Sequence, residues 1–464
     1  MAYSPAAQHK RMTETPVPRL IASLAVPTVI SQLITVIYNT ADTYFVSHID
    51  TSASAAVGVA FALQSLIQAF GFGLSMGCSS IVSRKLGAKE DAEAEVFANS
   101  AVFAAIVMGF ILLAGGLAAL SPLMMLLGST RTMLPYACDY ARIILLGAPI
   151  MCTSFVLNNI LRAEGEANLS MIGLAVGGVI NIGLDPLFIF TFDMGIAGAA
   201  LATVMSQAIS LIVLLAIFRF GRSIIKLRVG AVSKKFRVYW ELVKIGFPTI
   251  CRQGMASIAS ALLNRGAAYY GGEYAEASVA GVTIANKVYM LVRSIVIGIG
   301  QGFQPVAGYN YGARITPRVK KAFWFSVAVG TVFCTAAAVA IGFNTEAVML
   351  WFRDDEKVVE IGALALKFAC AVMPLMAYST FVNQLYQCLG FSALASVLAS
   401  CRQGIFFIPI ILLLPRVVGL VGVQMAQPAA DLATFVISVP FQIAFFALVL
   451  KKTERAERAA KRPS

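Results

Sequence analysis

From Arg19 to Leu450 the sequence is a succession of apolar stretches about 20 residues long or longer, separated by short polar breaks. Each is long enough to cross a ~30 Å hydrocarbon layer, and a chain built this way must satisfy its backbone hydrogen bonds inside helices. With 59% hydrophobic and only 13% charged residues, it carries more apolar sequence than any soluble core requires. The stretches run approximately over 19–45, 53–83, 97–120, 133–161, 169–191, 195–220, 243–270, 276–303, 318–342, 358–387, 392–414 and 418–450. The expectation is an all-α polytopic membrane protein with twelve transmembrane helices.

The net charge of +13 raises the question of nucleic acid, and the placement of the basic residues answers it. They gather in alternate loops. Lys10, Arg11 and Arg19 precede the first span, and Arg84, Lys85 and Lys89 follow the second. Arg219, Arg222, Lys226, Arg228, Lys234, Lys235, Arg237 and Lys244 follow the sixth, and Arg314, Arg318, Lys320 and Lys321 the eighth. Lys451, Lys452, Arg455, Arg458, Lys461 and Arg462 close the chain. The positive-inside rule then puts both termini in the cytoplasm and makes the number of spans even; no nucleic-acid partner is expected. The polar start is too long for a cleavable signal peptide, so the first span is read as an uncleaved insertion signal. The eight cysteines stand singly within apolar spans and read as packing residues rather than disulfides or a metal site.

The long basic connection separates six spans from six, giving an N-lobe (1–220), a cytoplasmic linker (221–242) and a C-lobe (243–464). The halves are copies. Gly73, Gly77 and Gly87 match Gly298, Gly302 and Gly312 at an offset of 225 (298 − 73), as do Pro149, Asn158 and Gly165 with Pro374, Asn383 and Gly390. Pro27 matches Pro248 at 221, and Gly195 and Gly198 match Gly419 and Gly422 at 224. Copies of six helices each enter the membrane from the same side, so they form parallel repeats and a V-shaped pair of lobes around a central cleft. The paired GxxxG spacings suit close helix packing.

Ionisable groups within spans are costly and therefore informative. Asp42 and Asp185 read as the two acids clearly inside spans. Tyr38 lies one turn below Asp42, and Asn181 one turn below Asp185. Counting residues from each span's start places both acids, with Thr203 of the sixth span, at a similar depth in the outer half. Two such carboxylates either titrate as a coupled pair or share a hard cation with neutral oxygens. The C-lobe carries Arg252, Arg265, Lys287, Arg293 and Arg402 and no matching acid, with Lys287 the best candidate for a cation in the cleft. Further candidates for the cleft wall are Gln32, Asn39, Asn158, Met205, Met255, Met290 and Gln301, the methionines giving an adaptable apolar surface. Gln301, Gln304, Tyr309 and Asn310 form a polar run that serves either as an inner gate or as a helix exit. Glu164 and Glu166, at a turn, read as solvent-exposed.

AVPTVISQLITVIYNTADTYFVSH, LRAEGEANLSMIGLAVGGVINIGLDPLFIF and GIGQGFQPVAGYNYGA, set in two six-helix copies, resemble the multidrug and toxic compound extrusion (MATE) family, in particular its bacterial branch of small-chain exporters. The resemblance implies a secondary antiporter of the bacterial inner membrane, not an enzyme. It would export hydrophobic, mostly cationic drugs and dyes as a monomer against H+ or Na+, without a cofactor beyond that coupling ion. It implies that Asp42 and Asp185, with Tyr38, Asn181 and Thr203, hold the coupling ion, and that Pro27 marks a bend in the first helix. A lipid-linked precursor flippase of related two-lobe architecture is the alternative.

Overall fold

The computed structural model describes residues 4–47, 51–131, 133–220 and 223–450, with side chains given except at 47, 51–57, 60, 449 and 450. The basic residues Lys451, Lys452, Arg455, Arg458, Lys461 and Arg462 of the tail, and Arg222 of the linker, lie outside the described residues. Among those described, all regular structure is helical.

A short helix, α1 (Pro5–Glu14), precedes the first half, made of α2 (Val17–Ser47), α3 (Thr51–Gly87), α4 (Asp91–Ala118), α5 (Leu120–Leu126), α6 (Leu134–Ala163), α7 (Ala167–Pro186) and α8 (Gly195–Arg219). The second half comprises α9 (Phe236–Tyr270), α10 (Ala275–Gly312), α11 (Thr316–Gly342), α12 (Thr345–Leu350), α13 (Glu356–Cys388), α14 (Ser392–Ser400), α15 (Phe407–Val418) and α16 (Leu420–Phe445). Wider π-helical turns follow α7 at Leu187–Thr191, join α14 to α15 at Cys401–Ile405 and extend α16 at Phe446–Leu450.

Eleven helical segments among the described residues are long and apolar enough to cross a membrane. The twelfth span is α9, long enough at 35 residues but diluted by Glu241, Lys244, Arg252, Gln253, Asn264 and Arg265. Large apolar side chains such as Phe110, Ile111, Ile212, Val332, Val436 and Ile443 point outward, more than half exposed, as a lipid-facing belt requires.

The two halves pack alike. α3 lies on α6 as α10 lies on α13, α4 on α6 as α11 on α13, and α2 on α7 as α9 on α14. Even the short helices repeat, α5 beginning at Leu120 and α12 at Thr345, 225 residues apart. Asn158 donates to the Ser170 carbonyl at 2.9 Å, and Asn383 to the Ala395 carbonyl at 2.7 Å, again at that offset.

Between the halves, α2 packs on α10 and α9 on α3, and glycines bring the backbones together. A Cβ on Gly298 would fall 2.8 Å from the Val29 Cα, and one on Gly302 2.5 Å from the Ala25 nitrogen. Their counterparts Gly73 and Gly77 would meet Ile250 at 2.4 Å and the Leu242 carbonyl at 2.1 Å. Nearer the basic end, Gly87 would strike the Tyr309 carbonyl and Gly312 the Arg84 carbonyl, each at 2.0 Å. Since 309 − 84 and 312 − 87 are both 225, one contact is the other turned about a two-fold axis. The GxxxG pairs therefore build the seam between the halves.

α1 lies across this seam. Ser4 caps it, accepting from Ala7 N–H at 3.2 Å, and Pro5 occupies its first turn, where a missing N–H costs nothing. Its buried Gln8 donates to the Glu164 carbonyl of the first half, while Asn310 and Arg318 of the second half donate to the carbonyls of Met12 at 3.1 Å and Thr15 at 2.6 Å. Gly165, at φ +87°, has no side chain to keep Gln8 and Met12 away.

Candidate functional site

The structure draws the acids of the first half into one buried cluster. Asp42 and Tyr38 come from α2, Asn181 and Asp185 from the last two turns of α7, and Thr203 from α8; all five are at most 9% exposed. Gly178 makes room for the Tyr38 ring, since a Cβ there would come within 3.2 Å of it. Pro186 follows Asp185 directly and lacks the N–H that would continue the ladder, and a π turn begins at Leu187.

Within the cluster Asn181 donates weakly to Asp185 Oδ1 at 3.3 Å. Asp42 Oδ1, Asp185 Oδ2 and Asn181 Oδ1 are buried without a hydrogen-bond partner among the described residues. The field of Asp42 reaches Asp185, and neither carboxylate has a basic counter-ion among the described residues. Unpartnered buried oxygens of this kind are expensive unless a proton or a cation visits them. One member was not legible in the sequence. Tyr140 of α6, fully buried, places its hydroxyl beside Thr203 and in the field of both acids. It is an ordinary tyrosine in an apolar span, and no local pattern marks it.

The second half corrects the sequence reading. It does contain a membrane-embedded acid, Asp431 of α16, 2% exposed. Arg402, in the π segment, reaches it through Nε at 2.6 Å and Nη2 at 3.3 Å. Gln427 donates at 3.0 Å, and the Tyr289 hydroxyl donates to Oδ2 while accepting from Arg402 Nη2 at 2.6 Å. A carboxylate inside an apolar span is the signal that singled out Asp42, and GVQMAQPAADLATF carries it equally.

A cavity of about 640 Å³ lies toward the end away from the seam, lined mainly by the second half through Gln253, Asn264, Tyr289, Met290, Arg293 and Arg402, with Gly58, Ser65 and Leu127 from the first. Of the expected cleft residues Met290 is on this wall. Lys287 is exposed and off it, its neighbours on the helix, Asn286 and Tyr289, turning inward instead. Asn158 is buried in its helix-joining bond, and Asn39 donates to the Thr35 carbonyl of its own helix at 2.8 Å. Gln301 accepts from Arg162 at 2.6 Å across the seam. Met255 packs against Gly404, Met205 is exposed and Gln32 half-buried, all three off this wall. Glu164, read as exposed, is fully buried. It accepts from the Ser223 hydroxyl at 2.7 Å and from the N–H groups of Ile224 and Ile225, because the linker folds over it.

The MatE family profile matches residues 27–187 and 253–413, once per half. The chain belongs to the MatE family. MatE relatives include the multidrug export protein MepA of Staphylococcus aureus, 26% identical over 414 residues, 88% of this chain and 90% of that one. A solved MATE structure described as the outward-facing conformation of a multidrug resistance transporter superposes with a TM-score of 0.90 at 25% identity, over 95% of this chain and 98% of its own. Another, from Pyrococcus furiosus, has a TM-score of 0.89 at 25% identity with 95% and 98% covered; it is described as having a binding pocket of reverse polarity that suggests a different function. As a MatE protein the chain is a multi-pass membrane transporter.

Proposed function

We propose that this transporter exports hydrophobic compounds, mostly cationic as the family resemblance implies, in antiport with H+ or Na+. The observation that carries the reading is the pair Asp42 and Asp185, buried with oxygens that have no hydrogen-bond partner and no counter-ion among the described residues. Their oxygens, with those of Tyr38, Asn181 and Thr203, offer a proton or a hard cation a set of acceptor atoms. By the positive-inside rule the seam and both termini face the cytoplasm of a bacterial inner membrane, and the cavity opens outward.

Coupling requires the ion to bind one state better than the other. α2 carries both halves of such a device. Asp42 sits near one end, while around Pro27 the helix is held against α10, Thr28 donating to the Gly298 carbonyl at 2.7 Å. Filling the acid site would alter the packing of α2 on α7, and Pro27 supplies the point of bending. An exchange that moves one net charge inward gains ~2.3 kcal/mol per 100 mV.

Dye efflux from proteoliposomes, run under ΔpH and ΔNa+ separately, tests the reading. Asp42→Asn and Asp185→Asn are each expected to abolish gradient-driven efflux while the protein still reaches the membrane. Full efflux in both variants would sink it. Movement of a lipid-linked pyrophosphate without dye efflux would favour the flippase alternative, to which the arginines of the second half lend support.

A further inference from the structure

Arg252 of α9, Arg293 of α10 and Arg402 of the π segment border a single pocket of about 30 Å³, enough for one small polar group. Its other walls are neutral, Ser379, Thr380, Asn383 and Thr434 among them. Arg293 and Arg402 also face the large cavity, so the small pocket is its cationic floor.

The three guanidiniums are not equivalent. Arg402 is fixed by Asp431 and Tyr289, and that carboxylate is fully engaged. Arg252 and Arg293 have neither an ion pair nor a hydrogen bond among the described residues, so their forks of N–H donors remain open. Three arginines less one aspartate leave a formal charge of +2 on a wall largely withdrawn from water. Such a wall repels a cation. It suits a planar, doubly accepting anion, since a guanidinium grips a carboxylate or phosphate through two parallel hydrogen bonds. The adjoining cavity adds Leu127, Leu263, Met290 and Phe407 for an apolar body.

We propose that Arg252 and Arg293 form an anion-binding subsite for the acidic head, carboxylate or phosphate, of an amphipathic substrate whose apolar body lies in the large cavity. It rests on the export reading for transport and replaces the cationic substrate class with an acidic one in this cavity; binding needs no gradient, so it is tested apart from coupling.

Carboxyfluorescein and rhodamine 123 share a xanthene ring and differ in charge, and fluorescence anisotropy with the purified chain compares them. Carboxyfluorescein is expected to bind more tightly at low salt, and Arg252→Gln or Arg293→Gln to weaken it by roughly tenfold or more. Arg293→Lys should lose less, and rhodamine 123 binding should not fall in any variant. Dodecyl phosphate and NBD-labelled phosphatidylglycerol as competitors separate a soluble acidic amphiphile from a lipid head, since the lipid competes only in the second case. Unchanged carboxyfluorescein affinity in monodisperse Gln variants overturns the proposal. If those variants do not fold, salt-independent binding by the wild type overturns it. Failure of the coupling site shows elsewhere, as efflux retained by Asp42→Asn.

Discussion

An aspartate that accepts from Arg402, Tyr289 and Gln427 and one whose Oδ1 has no hydrogen-bond partner among the described residues are chemically opposite objects, although Asp431 and Asp42 both sit in apolar helices. The first is an anchor. Asp431→Asn strands Arg402 and is expected to cost about 3–5 kcal/mol, seen as a lower midpoint of thermal unfolding in detergent, whereas Asp42→Asn should leave the midpoint level or raise it. Glu164, outside the spans, offers a pH test. Burial raises its carboxyl from the usual 4.5 to about 7 against the pull of its three donors. A raised acid favours the folded linker below the unfolded value, and the contribution is lost as pH rises from about 4.5 through about 7. Proteolysis of the 223–228 segment should therefore be faster at pH 8 than at pH 5, and the difference should shrink in Glu164→Gln. Asp42 and Asp185 were legible because a charge in an apolar run stands out. Arg402 stands out equally, but its partner lies 29 residues away on another helix, and Glu164 was misread because a turn gives no hint that a linker 60 residues on will cover it.

Elements were the most legible scale, since span length and basic loops follow directly from the bilayer. Of the contacts between elements, the convergence of the two acids and the close glycine packing were legible, while the fold of the opening segment onto the seam was not. The polar opening segment has no hydrophobic run, yet Pro5–Glu14 forms a helix because Ser4 and Pro5 start it and the seam receives Gln8 and Met12. It ties Glu164 of one half to Asn310 and Arg318 of the other. Deleting residues 1–15 should loosen that end. In a cysteine-free background, a Ser80→Cys probe at the seam is expected to react with a hydrophilic maleimide several-fold faster in the truncated chain. Equal rates would mean that α1 merely rests on the surface.

At the scale of the molecule the seam decides which state is seen. Closing it puts Gly87 against Tyr309 and Gly312 against Arg84 at equal distance, so Gly87→Ala and Gly312→Ala should be interchangeable. Overpacking of about 1–3 kcal/mol would shift either variant away from the closed seam, measurable as a longer spin-label distance between the two halves at the basic end. A strong effect from only one glycine would break the two-fold equivalence. That equivalence also reads as ancestry. A half-length chain that paired with itself through these glycines would make every seam contact twice, and fusing two such genes preserves the contacts without inventing any. After fusion each seam position still faces a specific position on the other copy, so neither can drift alone. Residues bordering the cavity and the acid cluster face no such twin, and there the copies differ: one carries bare acids, the other arginines.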